Sequence, residues 1–282
     1  MLFDFTIIGF GVIGTEILHG IKKVLLKKKL KQRNKIKIAI IEKNLNNIPG
    51  GVAYSRANSK FGFFNNPLRL SHPEFIKWFN LKINKKRLIN FSNKNQSYNL
   101  KIWANKNSYI LNKQYKYYSE IYLPRLVYSF YLKDKILNFL DCKKKINISL
   151  KIFKGEVNSF KKNEYYNIFS KSTFKEFTIY KSDHNFIFRA SNKNKIQIIQ
   201  SKKIIIGAGI IPPKKIIEKV IYRNSNYIWD LYNSGGTNNL IKKINKISNV
   251  KKNLSIIFIG NKAGLLETMQ EIEKIINDGK IN

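Results

Sequence analysis

The run Thr6-Ile7-Ile8-Gly9-Phe10-Gly11-Val12-Ile13-Gly14-Thr15-Glu16 decides how the rest of the chain is read. Phe3 to Ile8 has the length and apolar character of a short buried strand, and it stops at Gly9. Gly9, Gly11 and Gly14 are spaced G-x-G-x-x-G, and each answers a separate physical demand. The first permits a tight turn, the second lets backbone approach a pyrophosphate, and the third lets the next helix pack closely on the strand. That helix is expected to begin near Val12, with its first amides and positive dipole end aimed at phosphate. Ile13, Ile17, Ile21, Val24 and Leu25 recur at helical spacing, while Lys22, Lys23, Lys27, Lys28 and Lys29 fall mainly on the other face. A basic amphipathic helix also suits a membrane surface. One that follows a glycine loop already has a sheet on which to bury its stripe.

Lys37-Ile38-Ala39-Ile40-Ile41 reads as the next strand, and Glu42 stands at its C-terminal end. A carboxylate there accepts hydrogen bonds from ribose hydroxyls and completes a dinucleotide fingerprint. The order of strand, glycines, amphipathic helix, strand and acid predicts an α/β fold. Read without it, Glu42 is an ordinary loop carboxylate.

Further along come Pro49-Gly50-Gly51-Val52-Ala53-Tyr54-Ser55, then Phe64-Asn65-Asn66-Pro67, then Pro73-Glu74-Phe75-Ile76-Lys77-Trp78. Leu123-Pro124-Arg125-Leu126-Val127-Tyr128-Ser129 follows, with Ser129 where glycine is usual. Together these islands resemble the FAD/NAD(P)-binding family that includes flavin-dependent urate hydroxylase and aspartate N-monooxygenase, among the two-dinucleotide-domain flavoproteins. The resemblance runs from about Phe5 to about Leu266. It implies that Gly9, Gly11, Gly14 and Glu42 hold the ADP half of FAD, and that Gly50, Gly51, Asn65 and Pro67 pass beside the flavin end. It also implies that the Val157 backbone meets the adenine and that Arg125 approaches the phosphates, a task its planar donors suit. The residue pattern alone equally accommodates Arg125 as a solvated helix arginine. His72, beside Pro73, reads as structural or solvated.

The same resemblance sets the expected layout: a Rossmann-like FAD-binding domain over 1–212, with a helical, aromatic-rich insertion over about 61–140 and a β-meander over about 148–200. Short β-like runs support the meander: Leu150 to Phe153, Tyr166 to Phe169, Phe177 to Tyr180, Phe186 to Arg189 and Ile196 to Ile199. Lys203 to Ile206 leads into Gly207-Ala208-Gly209, which resembles the Ala-Thr-Gly turn where such chains leave the FAD domain. Gly209 permits close backbone approach to the cofactor. The aromatics of the insertion line a substrate cavity on one reading and form ordinary core on the other. Leu254 to Ile259, followed by Gly260-Asn261-Lys262-Ala263-Gly264, resembles the start of a second, NAD(P)H-binding Rossmann-like domain, expected incomplete over 213–282. Lys262 stands where the family has glycine, which argues against NAD(P)H binding.

Composition narrows the chemistry. The chain has 53 Lys+Arg against 17 Asp+Glu, a formal charge of +36. The excess is mostly Lys, spread along the chain and accompanied by Asn, Ile, Tyr and Phe, a profile that AT-rich codons produce without any ligand. No specific nucleic-acid partner is therefore expected, only weak adhesion to polyanions at low salt. Cys142 is the lone cysteine, which excludes an internal disulfide and favours a cytoplasmic setting. No run of about 18 apolar residues predicts a transmembrane helix. No metal-ligand cluster, paired carboxylates or Ser–His–Asp set emerges, so no catalytic residue is assigned. The resemblance implies a monooxygenase-like, FAD-binding oxidoreductase acting on a small molecule. Three alternatives stand beside it: a truncated or degenerate flavoprotein that binds FAD without turnover alone and needs a partner chain to complete the fold, a non-flavin Rossmann enzyme, and a polyanion-binding module.

Overall fold

The apolar run near the N-terminus forms the interior of a sheet in the computed structural model, which describes residues 1–27, 35–54, 62–94, 98–143, 145–183, 185–191, 196–207, 209, 237–248, 255–256, 268–270, 272–273 and 276–277. Strand β1 (Leu2–Ile8) pairs in parallel on both sides, with β2 (Ile36–Glu42) and with β7 (Ile196–Ile206). β2 pairs in parallel with β3 (Ile148–Lys154), giving the order β3-β2-β1-β7. Parallel neighbours need a crossover, and helix α1 (Val12–Lys27) supplies the one from β1 to β2. These elements belong to the first of two units, Met1–Ser55 with Leu132–Ile210; the second is Arg56–Tyr131 with Ile211–Asn282.

In the first unit β2 is buried on both faces, which is why it reads as an unbroken apolar run. Ile38 and Ile40 enter one core, Ala39 and Ile41 the other. The first core is closed by Leu18 of α1 and by Ile136, Phe139 and Leu140 of α6 (Leu126–Cys142). On α1 the packed stripe is Ile17, Leu18, Ile21 and Leu25. Ile13 and Val24 are half exposed instead of buried as the spacing suggested. They lie in line with Ile17 at the rim of the stripe.

The second core joins Phe3, Ala39, Ile41 and Phe153 of β1–β3 to Ile168, Phe174 and Ile199 of the meander. β4 (Val157–Lys162), β5 (Tyr166–Ser182), β6 (Asn185–Ala190) and β7 pair antiparallel around β5. Two strands are longer than the sequence reading: Tyr166–Phe169 and Phe177–Tyr180 are one strand, as are Ile196–Ile199 and Lys203–Ile206. The register of β5 shifts between Phe169 and Phe174, so its polar middle interrupts the alternation without ending the strand. β7 changes partners along its length: Ile199 faces Ile168 in antiparallel register, and Ile206 faces Ile8 in parallel. The result is an α/β fold with a Rossmann-like parallel sheet continued by a meander.

The second unit contains α3 (Pro73–Phe79), α4 (Lys82–Lys94), α5 (Tyr98–Leu111) and the start of α6. Its aromatics pack on one another. Phe75, fully buried, meets the rings of Phe64, Trp78, Phe79, Tyr128 and Tyr131 at centroid distances of 5.0 to 6.2 Å. Tilted and edge-on pairs of this kind are core geometry. Later in this unit, Ile244 of α7 (Thr237–Ser248) is buried with Ile272, against Leu240 and Ile256. Of the expected strand Leu254–Ile259 only Ser255 and Ile256 are described. Gly260–Gly264, Lys262 included, lies outside the described residues, as do Ser55, Phe61, Ala208, Pro212 and Pro213.

Ion pairs within the first unit include Lys135–Glu16 and Lys202–Asp4. Lys135 of α6 is buried and donates to both carboxylate oxygens of Glu16 on α1, at 2.7 and 2.5 Å. Glu16 is more exposed than Lys135, with side-chain exposures of 36% and 6%. Removing the carboxylate therefore costs more than removing the amine, because it takes a charged partner from a buried ammonium. Glu16→Gln is expected to lower unfolding free energy by about 2 kcal/mol and Lys135→Met by about half as much, measured by urea denaturation. On β1, Asp4 accepts from the Lys37 amide at 2.8 Å and from Lys202 Nζ at 2.9 Å. Burial opposes ionisation of Asp4, but these hydrogen bonds and charges outweigh it and hold the carboxyl below its ordinary range. Its contribution is complete above the unfolded-state pKa and vanishes as pH falls through the lowered one. Asp4→Asn should cost at most about 1 kcal/mol at neutral pH, since the pair is largely solvated, and nothing in strong acid, in melts recorded across pH.

Candidate functional site

The site begins where β1 ends. Gly9 has φ +93°, and its amide donates to the Ile41 carbonyl at 2.8 Å, tying the turn to the neighbouring strand. Phe10 is buried and its amide donates to Glu42 Oε2 at 2.8 Å. Helix α1 then starts at Val12, and Gly14 sits so close to the turn that a Cβ there would lie 2.4 Å from the Gly9 oxygen. No other residue fits without moving backbone. Thr15, buried, hydrogen-bonds the Gly11 carbonyl through its amide at 3.1 Å and its hydroxyl at 2.9 Å. The first amides of α1 have no partner within the helix, and the dipole adds positive potential at that end.

A second backbone segment closes on this loop. Gly50 and Gly51 have φ +102° and +65°, and α2 (Gly51–Tyr54) starts there. A Cβ on Gly11 would lie 3.3 Å from the Gly51 Cα, so glycine faces glycine with no side chain between. The surface around the start of α1 is thus made of backbone, the surface that an anionic phosphate group needs.

Glu42 ends β2. Its Oε2 takes the Phe10 amide and its Oε1 the Asn44 amide at 3.0 Å. A carboxylate offers about four acceptor positions, so capacity remains for ribose hydroxyls. Gly155 donates its amide to the Glu42 carbonyl at 3.1 Å, which sets the turn into β4 and Val157 beside the end of β2. Lys43 and Glu156 pair at 3.1 Å beside this turn; the Lys43 hydrogen bond, more than its charge, holds Glu156 below the ordinary carboxylate range. Gly207, whose amide donates to the Ile8 carbonyl, lies against Ile13, leaving 3.2 Å for any added Cβ. Gly209 has φ +79° and nothing within 4 Å of an added Cβ.

In the second unit, Arg125 Nε donates to the Phe63 carbonyl at 2.8 Å and Nη2 to Asn65 Oδ1 at 3.2 Å. Its own amide bonds the Gly62 carbonyl at 2.8 Å. The arginine therefore ties the Gly62–Asn65 segment together. Pro67 is buried and precedes a single 3-10 turn, Leu68–Leu70. His72 caps α3, its Nδ1 accepting from the Glu74 amide at 3.3 Å. Among the residues expected to act together, then, Gly9, Gly11, Gly14, Glu42, Gly50 and Gly51 converge in the first unit, with Val157 nearby. Asn65 and Arg125 meet in the second. The Phe10 amide was not foreseen, because a backbone donor leaves no mark on sequence.

This combination of parallel sheet, glycine turn, helix N-terminus and strand-end acid defines a dinucleotide-binding domain. The chain belongs to the FAD-NAD(P)-binding family, whose pattern matches residues 6–173. That span holds the glycine turn, Glu42, Gly50, Gly51, Asn65, Pro67, Arg125 and Val157. No curated protein matches the chain. Its cofactor class is a flavin or nicotinamide dinucleotide. Among the described residues there is no group of three or more His, Cys, Asp and Glu to hold a metal ion, and no helix long and apolar enough to cross a membrane.

Two glycine variants separate packing from binding. Gly14→Ala forces a methyl against the Gly9 carbonyl and should destabilise the fold by about 2 kcal/mol, with dinucleotide binding lost. Gly11→Ala makes a tight contact that small shifts relieve. It should keep its melting temperature within a few degrees and bind dinucleotide at least about tenfold more weakly, read by calorimetric titration.

Proposed function

We infer that the chain binds FAD and serves as a flavin-dependent oxidoreductase of the monooxygenase-like kind, similar to flavin-dependent urate hydroxylase and aspartate N-monooxygenase. The observation that carries this reading is the meeting of Gly11 with Gly50 and Gly51, which adds a second backbone-only segment to the phosphate loop. Its glycine pair is the first of the islands that carry the resemblance to those enzymes. In this reading the α1 amides and the loop hold the pyrophosphate, Glu42 the ribose, and the Val157 backbone the adenine. The resemblance assigns Asn65 and Pro67 to the flavin end, Arg125 to the phosphates and Gly209 to close backbone approach, and the substrate is a small amine or heterocycle. When bound, the flavin supplies the redox chemistry, and the protein binds and orients it. In this reading residues 1–212 are the FAD-binding domain and 213–282 belong to a second nucleotide-binding domain. The lone Cys142 fits a cytoplasmic protein.

A second reading rests on how polar groups are used: His72 is committed to capping α3, and Arg125 to Phe63 and Asn65. In that reading the chain binds FAD without turnover alone. The visible spectrum of the purified protein, with and without added FAD, tests both. Flavin bands that stay with the protein are expected, and Glu42→Gln should weaken FAD binding about tenfold. A protein that remains colourless in excess FAD refutes both readings. NAD(P)H consumption by the FAD-loaded protein separates enzyme from binder.

A further inference from the structure

The positive charge is spread along the sequence, yet it is not everywhere accompanied by acid. The 45 residues from Phe75 to Ser119 hold ten Lys and Arg and no Asp or Glu, the longest acid-free run in the chain. They form α3, α4, α5 and the 3-10 turn Tyr115–Tyr117. On α5 and the turn beyond it, Lys101, Lys106, Tyr109, Lys113, Lys116 and Tyr117 are all exposed. Tyr109 is 71% and Tyr117 58% exposed, and they are the only large hydrophobic side chains exposed among the described residues of Tyr98–Ser119. Lys113 Nζ lies 4.3 Å from the Tyr109 ring centre and 5.7 Å from that of Tyr117, while Lys116 Nζ lies 5.0 Å from the Tyr117 ring. Two aromatic rings and two ammonium groups thus alternate on one surface.

We propose that this surface binds single-stranded polynucleotide without sequence preference, lysines on the phosphates and tyrosine rings against the bases. The chemistry matches on both counts. Phosphates draw ammonium groups by charge. The ring faces those groups vacate then accept bases, whose stacking tolerates any sequence. An anionic membrane would use the same lysines but needs an aliphatic face to insert. The exposed positions of α5 and its turn carry no Leu, Ile, Val, Phe or Met. The proposal is independent of the cofactor reading.

The test titrates the full chain into fluorescein-labelled oligouridine of about 20 nucleotides and follows anisotropy at several salt concentrations. Tyr109→Ala/Tyr117→Ala is expected to lose about tenfold or more in affinity at fixed salt, with the salt slope unchanged. Lys113→Gln/Lys116→Gln should reduce that slope by roughly 1.4. Lys161→Gln/Lys162→Gln, an equal charge loss on exposed β4, serves as control and should leave both quantities near those of the parent. A single strand should compete better than a duplex of equal length, because paired bases cannot reach the rings. The proposal is overturned by a tyrosine variant that binds like the parent, by a control pair as damaging as Lys113 and Lys116, or by duplex competing as well as single strand. Phosphatidylserine-containing vesicles that bind through Lys113 and Lys116, while oligouridine binding ignores both lysines, would overturn it in favour of a membrane.

Discussion

The closeness of Gly14 to the Gly9 carbonyl governs the first unit. A helix can follow a strand this tightly only if its third residue has no side chain. Once α1 is held there, its amides face the space beyond β1 and its apolar stripe lies on β1–β3. The Phe10 amide then comes within reach of the carboxylate that ends β2. Glu42 therefore has two tasks. It braces the glycine turn from the neighbouring strand, and its remaining acceptor capacity faces the ligand side. The apposition of Gly11 and Gly51 extends the same logic, with backbone against backbone where a phosphate has to pass.

Much of this was legible because it rests on local signals. The glycine spacing, the start of α1 at Val12 and the end of β2 at Glu42 follow from turn chemistry and periodicity. The meander was less legible. β5 carries Ser170, Lys171 and Ser172 at an irregular point, and a reader of alternation ends the strand there. β7 was cut at Gln200-Ser201-Lys202 for the same reason, although Ser201 is buried and satisfied by the Lys203 carbonyl. β4 was missed altogether, because an edge strand needs partners and not apolar residues, and its side chains are mostly exposed. The aromatics around Phe75 are core, since Phe75 surrounds itself with rings, whereas Tyr109 and Tyr117 are exposed. The Pro-x-Phe-x-x-Trp island is accounted for by packing.

Side chains that suggested chemistry turn out to hold structure. His72 caps a helix, Arg125 ties a loop, and Asn44 caps the turn after β2 through Asn46. The candidate site relies mainly on backbone amides and one carboxylate. That suits a domain whose task is to orient a cofactor. It also explains how a chain with 17 acidic residues and three histidines accommodates such a site.

The pairing of β1 with β7 has a consequence for how the chain is made. Leu2 finds its partner at Gln200, so almost two hundred residues separate the halves of one ladder. During synthesis β1 and β2 emerge early, yet one edge of β1 stays open until β7 leaves the ribosome. An apolar strand with an open edge is a template for wrong pairing, and contacts this distant in sequence make folding slow. Until then the nascent chain carries this central strand half-paired, and that interval is when it most needs a chaperone's protection.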